Sequence, residues 1–330
     1  MRLVAAVLIL GALAGAAGAF AVGAAALAPR DPAGAVRVVQ IPPGATVRQI
    51  ARRLAQAGVL RSPSAFEVAA RVRRLEGRLQ SGEYALSPAM STLEILDRLA
   101  RGQVLLHPLT VPEGSTLVQI ADLLAARGLG DRAAFLRVAT EEGATFPHPF
   151  LPGRSNLEGY LFPDTYHLPR GLPAREVVAR MLDRFGERVP PAWRARARAQ
   201  GVSFHEAVII ASLVEREARV PDEQPVIAGV IYNRLRRGMR LEIDATVLYA
   251  LGEHRPVVTE RDLQVDSPYN TYRHAGLPPG PIANPGWGAL RAALAPARVP
   301  YLFYVLRPDG RHAFSRTFEE HLANVRRYRR

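Results

Sequence analysis

Two glutamates near the end of an apolar segment have the residue type and spacing that acid–base chemistry uses. The segment ASLVEREA, residues 211–218, is apolar until it reaches Glu215 and Glu217. Ser203 and Glu206 have the spacing of a capping box, which predicts that a helix begins there. The apolar residues that follow leave this helix almost no polar face. We therefore expect it to be buried on most sides, with carboxyl groups at its end.

Helical geometry gives the two glutamates different surroundings. Counting back three, four and seven residues gives Val214, Leu213 and Ile210 for Glu217, and Ser212, Ala211 and Val208 for Glu215. Desolvation by bulky apolar neighbours raises the pKa of a carboxyl, so Glu217 is predicted to be a general acid. Glu215 is predicted to be a structural partner, for example of an arginine. Alternatively, both glutamates only mark the point where the chain emerges into water.

The composition excludes several kinds of chemistry. All 43 basic residues are Arg and there is no Cys, which excludes lysine Schiff bases, thiol nucleophiles and Cys-ligated zinc. The stretch HEAVI (205–209) has Ile209 where a zinc motif needs its second His. There is no nucleophile elbow and no Gly-rich phosphate loop. We therefore expect carboxylate chemistry, with no metal and no cofactor.

The net charge of +13 would suit an anionic partner. However, the arginines are dispersed along the chain, and no zinc-finger or RNP-type motif accompanies them. This pattern indicates solvated surfaces, and we expect no nucleic acid among the partners.

Three further stretches contribute candidate cleft residues. RLEIDATVLY (240–249) alternates acidic and apolar residues, which predicts a short strand beside the glutamate helix. SPYNTYRHAGLPPGPIANPG (267–286) is stiffened by Gly and Pro and offers aromatic rings and amides, which suit sugar rings. NLEGYLFPDTY (156–166) is either a buried strut or a cleft wall. The alternative for the Gly/Pro loop is a well-packed surface turn.

An internal repeat with a constant offset of 70 residues lies upstream. IPPGATVRQIARRLAQAGVL (41–60) matches VPEGSTLVQIADLLAARGLG (111–130). Each copy predicts a strand, a Pro-Gly turn, a Thr N-cap and an amphipathic helix closed by Gly. The repeat is either a stable βα unit used twice or a recognition module that resembles LysM, the glycan-binding fold.

The remaining elements predict an α+β fold. We expect a Thr-capped helix at Thr92, a helix over 223–238, a hairpin over 301–315 with an Asp-Gly turn, and a last helix capped by Thr317 and Glu320. The sequence divides into residues 1–30, a LysM-like module at 34–107, and a catalytic region at 108–330. That region contains the second repeat at 108–131 and a catalytic core at about 155–330.

Residues 3–28 carry no charge and follow Arg2. This length predicts a single N-terminal transmembrane helix, since a span needs about 20 apolar residues. The alternative is a cleaved signal peptide, for which AAALA would serve as a cleavage site. Both alternatives place most of the chain across the membrane, with the amino terminus inside.

The combination of ASLVEREA, VIYNRLRRGMRLEIDATVLYALG, YNTYRHAGLPPGPIANPG and PYLFYV resembles the YceG-like endolytic murein transglycosylases, the MltG family. The resemblance covers the whole chain. It implies that the second Glu of the Glu-x-Glu pair, Glu217, is the catalytic acid. Ala218 stands where other lytic transglycosylases often have Ser, a difference that leaves this resemblance unchanged.

The resemblance implies an enzyme that cleaves the MurNAc–GlcNAc bond inside peptidoglycan strands and leaves 1,6-anhydro-MurNAc ends. It also implies an inner-membrane, single-pass location with a periplasmic catalytic domain, and peptidoglycan synthases as partners. The residues predicted to line the cleft are Asn233, Thr246, Asn270, Tyr272 and Glu158. Two alternatives remain: a non-catalytic peptidoglycan-binding scaffold, and a hydrolytic muramidase with Asp244 or Glu158 as its second carboxylate.

Overall fold

The computed structural model describes residues 15, 18, 21–151, 153–252 and 257–328. The chain forms two compact units. Unit 1 contains the described residues up to 107 together with 167–171. Unit 2 contains the described residues of 108–166 and from 172 onward.

In the described part of unit 1, two strands and three helices pack around one hydrophobic core. In chain order these are β1 (Arg37–Ile41), α1 (Val47–Gln56), α2 (Pro63–Val72), β2 (Gly82–Leu86) and α3 (Thr92–Ala100). Strands β1 and β2 pair antiparallel, with Val39 opposite Tyr84. The apolar faces of the three helices supply Ile50, Phe66 and Leu96 to the core, all of which are fully buried.

The helix starts in unit 1 follow local capping chemistry. The Thr46 hydroxyl accepts from the Gln49 backbone N–H, and the Gln49 side chain accepts from the Thr46 N–H, which confirms the predicted N-cap. The predicted cap at Thr92 is wrong by one residue. Ser91 is the N-cap of α3 and forms a capping box with Glu94, because the Ser–Glu spacing supplies both hydrogen bonds.

The predicted N-terminal transmembrane helix falls on residues 3–28, most of which lie outside the described residues. Among the residues that the structure describes, none belongs to a helix of the length and apolar character that a membrane span requires. This finding contradicts the predicted single-pass location in the inner membrane with a periplasmic catalytic domain, and that prediction is corrected accordingly.

Beyond unit 1 the chain is mainly helical. The further elements are β3 (His107–Thr110), α4 (Leu117–Ala126), α5 (Arg132–Glu141), β4 (Thr165–Leu168), α6 (Ala174–Arg188), α7 (Trp193–Ala199), α8 (Phe204–Glu217), α9 (Gln224–Arg236), α10 (Asp244–Leu251), α11 (Trp287–Leu294), β5 (Phe303–Leu306), β6 (His312–Ser315) and α12 (Phe318–Tyr328). Strands β3 and β4 pair, as do β5 and β6. The combination of helices with small two-stranded sheets confirms the α+β class.

Helix α8 is the centre of unit 2. It packs against α9 and α11, and every residue from 207 to 214 is buried. The predicted Ser203–Glu206 capping box is present at its start. The hairpin is also confirmed, with Leu306 opposite His312 and the turn at Asp309–Gly310.

The strand predicted over 240–249 is wrong. Residues from Asp244 onward form helix α10, and Glu242 has a φ of 52°, which interrupts an extended chain. Leu241 and Ile243 are both buried, and this produced the alternating pattern in the sequence. The Ile243 carbonyl accepts from the Thr246 hydroxyl at 2.7 Å, a contact that belongs to the first turn of a helix.

Candidate active site

Glu217 is the last residue of α8, and its position follows from the burial of that helix. Ala218 takes an extended conformation (φ −69°, ψ 123°), so the helix ends directly after the glutamate. Glu217 itself remains partly exposed, because its side chain lines a cavity of about 450 Å³ in unit 2. The apolar helix thus delivers one carboxyl to the wall of a solvent-accessible cavity.

The Tyr304 phenol on β5 holds the Glu217 carboxyl. Its O–H donates to Glu217 Oε2 at 2.9 Å. Burial, together with the neighbouring Glu217 charge, raises the pKa of Tyr304 well above its ordinary value, so the phenol stays protonated and acts as a donor. Tyr304 was not among the residues predicted to line the cleft. Its segment PYLFYV was quoted in the sequence, but strand periodicity does not show which distant carboxyl a strand side chain reaches.

The pKa of Glu217 is raised to about 7. Burial is the main cause, and the Asp244 charge adds to it. The Tyr304 hydrogen bond and the charges of Arg219 and Arg216 act in the opposite direction. This carboxyl can therefore hold a proton much closer to neutral pH than an ordinary glutamate, as a group that both donates and accepts a proton requires.

Glu215 has a different partner. Its carboxylate accepts a hydrogen bond from the Gly286 backbone N–H at 2.9 Å. Gly286 belongs to the Gly/Pro loop and is the N-cap of α11. Glu215 therefore joins the end of α8 to the loop before α11 through a backbone group.

The cavity around Glu217 is strongly charged. Its charged and hydrogen-bonding walls come from Arg216, Arg219, Arg234, Glu242, Asp244, Tyr272, Tyr304, His312 and His321. Arg234 is buried and donates to the Leu302 carbonyl and to Glu242. Arg219 is exposed and makes no hydrogen bond or ion pair with any described residue. A cavity of this character suits a polar ligand such as a saccharide better than an apolar one.

Asp244 and Tyr272 lie together in this cavity. The Tyr272 phenol donates to Asp244 Oδ1 at 2.5 Å, and burial raises the pKa of the phenol. Asp244 is the first residue of α10. The structure thus brings the predicted residue Tyr272, and one of the two carboxylates considered for a muramidase, into the cavity of Glu217.

Two predicted residues lie behind this wall. Thr246 is fully buried, and its hydroxyl contacts the Thr271 hydroxyl at 2.9 Å. Asn270 is also fully buried, and its amide donates to the Leu263 and Val265 carbonyls at 2.9 Å each. Both residues fix the loop that carries Tyr272.

Asn233 is placed on α9, where its amide donates to the Val299 and Tyr301 carbonyls at 2.8 Å each. These hydrogen bonds tie α9 to the segment that leads into β5. Asn233 is not part of the cavity wall around Glu217.

Glu158 lines a second cavity of about 450 Å³ and is only 5% exposed. Its carboxyl oxygens accept from the Leu117 backbone N–H at 3.2 Å and from the Asn284 amide at 2.9 Å. The Tyr249 phenol donates to it at 3.4 Å. Burial raises the pKa of Glu158 to about 8. The sequence did not indicate Asn284 as the residue that holds Glu158.

The parts of the chain that are described contain no group of three His, Asp or Glu residues arranged to hold a metal ion. Proton transfer by carboxyl groups is the chemistry that this arrangement offers.

Comparisons with known proteins place the chain in a family. An endolytic murein transglycosylase of Bacillus subtilis is 33% identical over 318 residues, which cover 92% of this chain and 88% of that protein. A protein of the same name from Streptococcus pneumoniae is 31% identical and covers 87% of this chain, which spans 57% of that longer relative. The crystal structure of a YceG-like protein from Listeria monocytogenes superimposes with a TM-score of 0.60 at 34% identity. The superposition covers 88% of this chain and 100% of the Listeria monocytogenes chain.

The sequence model of the YceG-like family matches residues 39–327, which include parts of both units and the cavity of Glu217. On this match and the relatives' identities, the chain belongs to the YceG-like family.

Proposed function

We propose that this chain is an endolytic murein transglycosylase and that Glu217 is its catalytic acid. The observation that carries the proposal is a carboxyl with a pKa of about 7, held by one phenol at the wall of an open, polar cavity. The names of the relatives support the lytic transglycosylase activity on peptidoglycan. The single catalytic glutamate and the anhydro product are parts of the proposal.

The proposed reaction has two proton transfers at one carboxyl. Protonated Glu217 donates to the glycosidic oxygen that leaves C1 of N-acetylmuramic acid, and the C1–O bond breaks. The ionised carboxylate then takes the proton from the 6-hydroxyl of the same sugar, and O6 bonds to C1. The result is a 1,6-anhydro end and a regenerated acid. Water is not the nucleophile, so a second carboxylate that activates water is not required.

The phenol of Tyr304 suits this double role. It donates to one Glu217 oxygen in both protonation states and leaves the other oxygen for the substrate. Tyr272 is proposed to contact the sugar from the same cavity. Asn233, Thr246 and Asn270 would act by holding the surrounding segments, and Glu158 by forming the second cavity.

The hydrolytic alternative rests on one observation, the presence of Asp244 in the same cavity as Glu217. A muramidase would use this carboxylate to activate water or attack C1, and its products would have reducing ends. Glu158 fits this role less well, because protein groups occupy its oxygens in the other cavity.

The glycan-binding role of the repeats also remains a proposal. The first copy, 41–60, lies within the series β1, α1, α2 and β2, and the second copy, 111–130, lies within a series of the same order, β3, α4, α5 and β4. This recurrence supports two LysM-like modules. Peptidoglycan synthases stay a predicted partner, and co-purification from cells is the measurement that checks it.

The decisive experiment is mass spectrometry of the products from purified glycan strands. We expect the full chain to give anhydro-ended fragments, and Glu217→Gln to give almost none. Glu215→Gln is the matched control, because its amide oxygen can still accept from the Gly286 N–H and activity should remain. Reducing-ended products would contradict cyclisation, and binding of strands without any cleavage would favour the scaffold.

A further inference from the structure

Asp244 lies beside the proposed acid and has no role in the two proton transfers. We propose that Asp244 is a second catalytic group, an anion that stabilises the positive charge developing on the sugar ring when the C1–O bond breaks. This inference rests on the proposed function of Glu217. It differs from the muramidase alternative, since Asp244 neither activates water nor bonds to the sugar.

The geometry of the two carboxyls supports a division of labour. Glu217 is the last residue of α8, whereas Asp244 is the first residue of α10. The C-terminal end of a helix carries partial negative charge and disfavours an anion, and the N-terminal end favours one. The two carboxyls therefore lie at helix ends of opposite partial charge, negative at Glu217 and positive at Asp244.

Each carboxyl also has its own phenol. Tyr304 donates to Glu217, and Tyr272 donates to Asp244. A donor that stays protonated stabilises a carboxylate charge and fixes the orientation of the side chain. The two pairs line one cavity, so a sugar bound against Glu217 lies within the field of the Asp244 charge.

The electrostatic effect of Asp244 on Glu217 favours a protonated Glu217, as the proposal requires. Both carboxyls line one cavity, and the Asp244 charge raises the pKa of Glu217. Cleavage of a glycosidic bond passes through an oxocarbenium-like state, which a nearby fixed anion stabilises.

Other charged and titratable side chains line the same cavity and contribute to the electrostatic potential at the two carboxyls. They are Arg216, Arg219, Arg234, Glu242, His312 and His321. Glu242 is paired with Arg234 at 3.1 Å, so removal of its charge is a matched test of whether any cavity carboxylate would have the same effect.

The experiment compares Asp244→Asn with Glu242→Gln in the full chain, with kcat, KM and the pH profile of strand cleavage as readouts. We expect Asp244→Asn to lower kcat by roughly 100-fold with a small change in KM. Because the Asp244 charge raises the pKa of Glu217, its loss should also move the alkaline limb of activity to lower pH. Glu242→Gln should leave that limb in place.

Wild-type turnover by Asp244→Asn at a pH where Glu217 is protonated would overturn the inference, even if the limb moved. If this variant does not fold, Tyr272→Phe decides, because it removes the phenol that holds Asp244. Loss of the proposed contact between Tyr272 and the sugar is measured by KM, and the effect on Asp244 by kcat and the pH profile. A reduced kcat in Tyr272→Phe supports the role of Asp244, and an unchanged profile overturns it.

Two further results would contradict the proposed function of Glu217 on which this inference rests. Near wild-type activity in Glu217→Gln would remove the proposed acid and the inference with it. Reducing-ended products from the wild type would assign Asp244 to water activation and overturn its role as a fixed anion.

Discussion

Glu217 and Glu158 both have a raised pKa, about 7 and about 8, and burial is the main cause for both. Their hydrogen bonds differ. Glu217 accepts one hydrogen bond, from a phenol, and faces a polar cavity. Glu158 accepts hydrogen bonds from a backbone N–H, an amide and a phenol. A raised pKa shows only that charge is disfavoured. The number of oxygens left without a protein donor decides whether the proton can reach a substrate.

The contacts of Glu158 connect separate segments of unit 2. The amide of Asn284 donates to both Glu158 and the Ser115 carbonyl, and its side-chain oxygen accepts from the Gly159 and Leu161 N–H groups. Glu158 therefore helps to hold the second repeat against the Gly/Pro loop. The comparison suggests that the more strongly shifted carboxyl is the structural one.

The largest expected contrast is in turnover. Glu217→Gln should lower kcat by about 1,000-fold, because it removes the general acid. Glu158→Gln should retain most of the activity, because a glutamine resembles the protonated acid and can still accept from the Leu117 N–H. Strand cleavage at pH 6 measures both. An equal loss in a folded Glu158→Gln variant would contradict the comparison and place Glu158 in the reaction.

Local sequence patterns predicted the parts of the fold that depend on near neighbours. The capping boxes at Thr46 and Ser203, the hairpin turn and the buried character of α8 all arise from residues within a few positions of one another. The segment at 240–249 was misjudged, because burial of Leu241 and Ile243 by distant residues imitates strand alternation.

The candidate site also combines a feature that local sequence predicted with contacts that only the tertiary fold creates. Glu217 could be selected from one helix, since its neighbours at helical spacing are apolar. Tyr304 and Asp244 could not be assigned to it, because they are 87 and 27 positions away and only the tertiary fold brings them together. The sequence also could not show that the side chains of Asn233, Thr246 and Asn270 donate hydrogen bonds to backbone carbonyls.

The second expected effect is on stability. Glu158→Ala should lower the free energy of unfolding by about 2–3 kcal/mol, because it leaves the Leu117 N–H and the Asn284 amide without an acceptor in a buried place. Urea denaturation measures this, with Glu158→Gln as the control that keeps an acceptor. Equal stability of the alanine variant and the wild type would show that water replaces the carboxyl and would weaken its structural role.

The raised pKa of Glu158 also makes the free energy of unfolding depend on pH. The folded state binds the Glu158 proton up to a pH of about 8, whereas the ordinary value is 4.5, so the folded state holds more protons between these limits. The contribution of Glu158 to the free energy of unfolding is therefore full below pH 4.5 and falls as the pH rises towards 8. Glu158→Gln should remove this decrease, and an unchanged slope would contradict the raised pKa.

The smallest expected effect is a shift in a pH profile. The Tyr304 hydrogen bond lowers the pKa of Glu217, so Tyr304→Phe should raise it and move the alkaline limb of activity to higher pH, by up to about one pH unit. Tyr301→Phe is the control, because Tyr301 lies on the same segment outside the cavity wall. Loss of the Asp244 charge should move the limb the other way, so the two variants distinguish a donor from an anion beside one acid. A limb that moves to lower pH in Tyr304→Phe would contradict the assignment of that limb to Glu217.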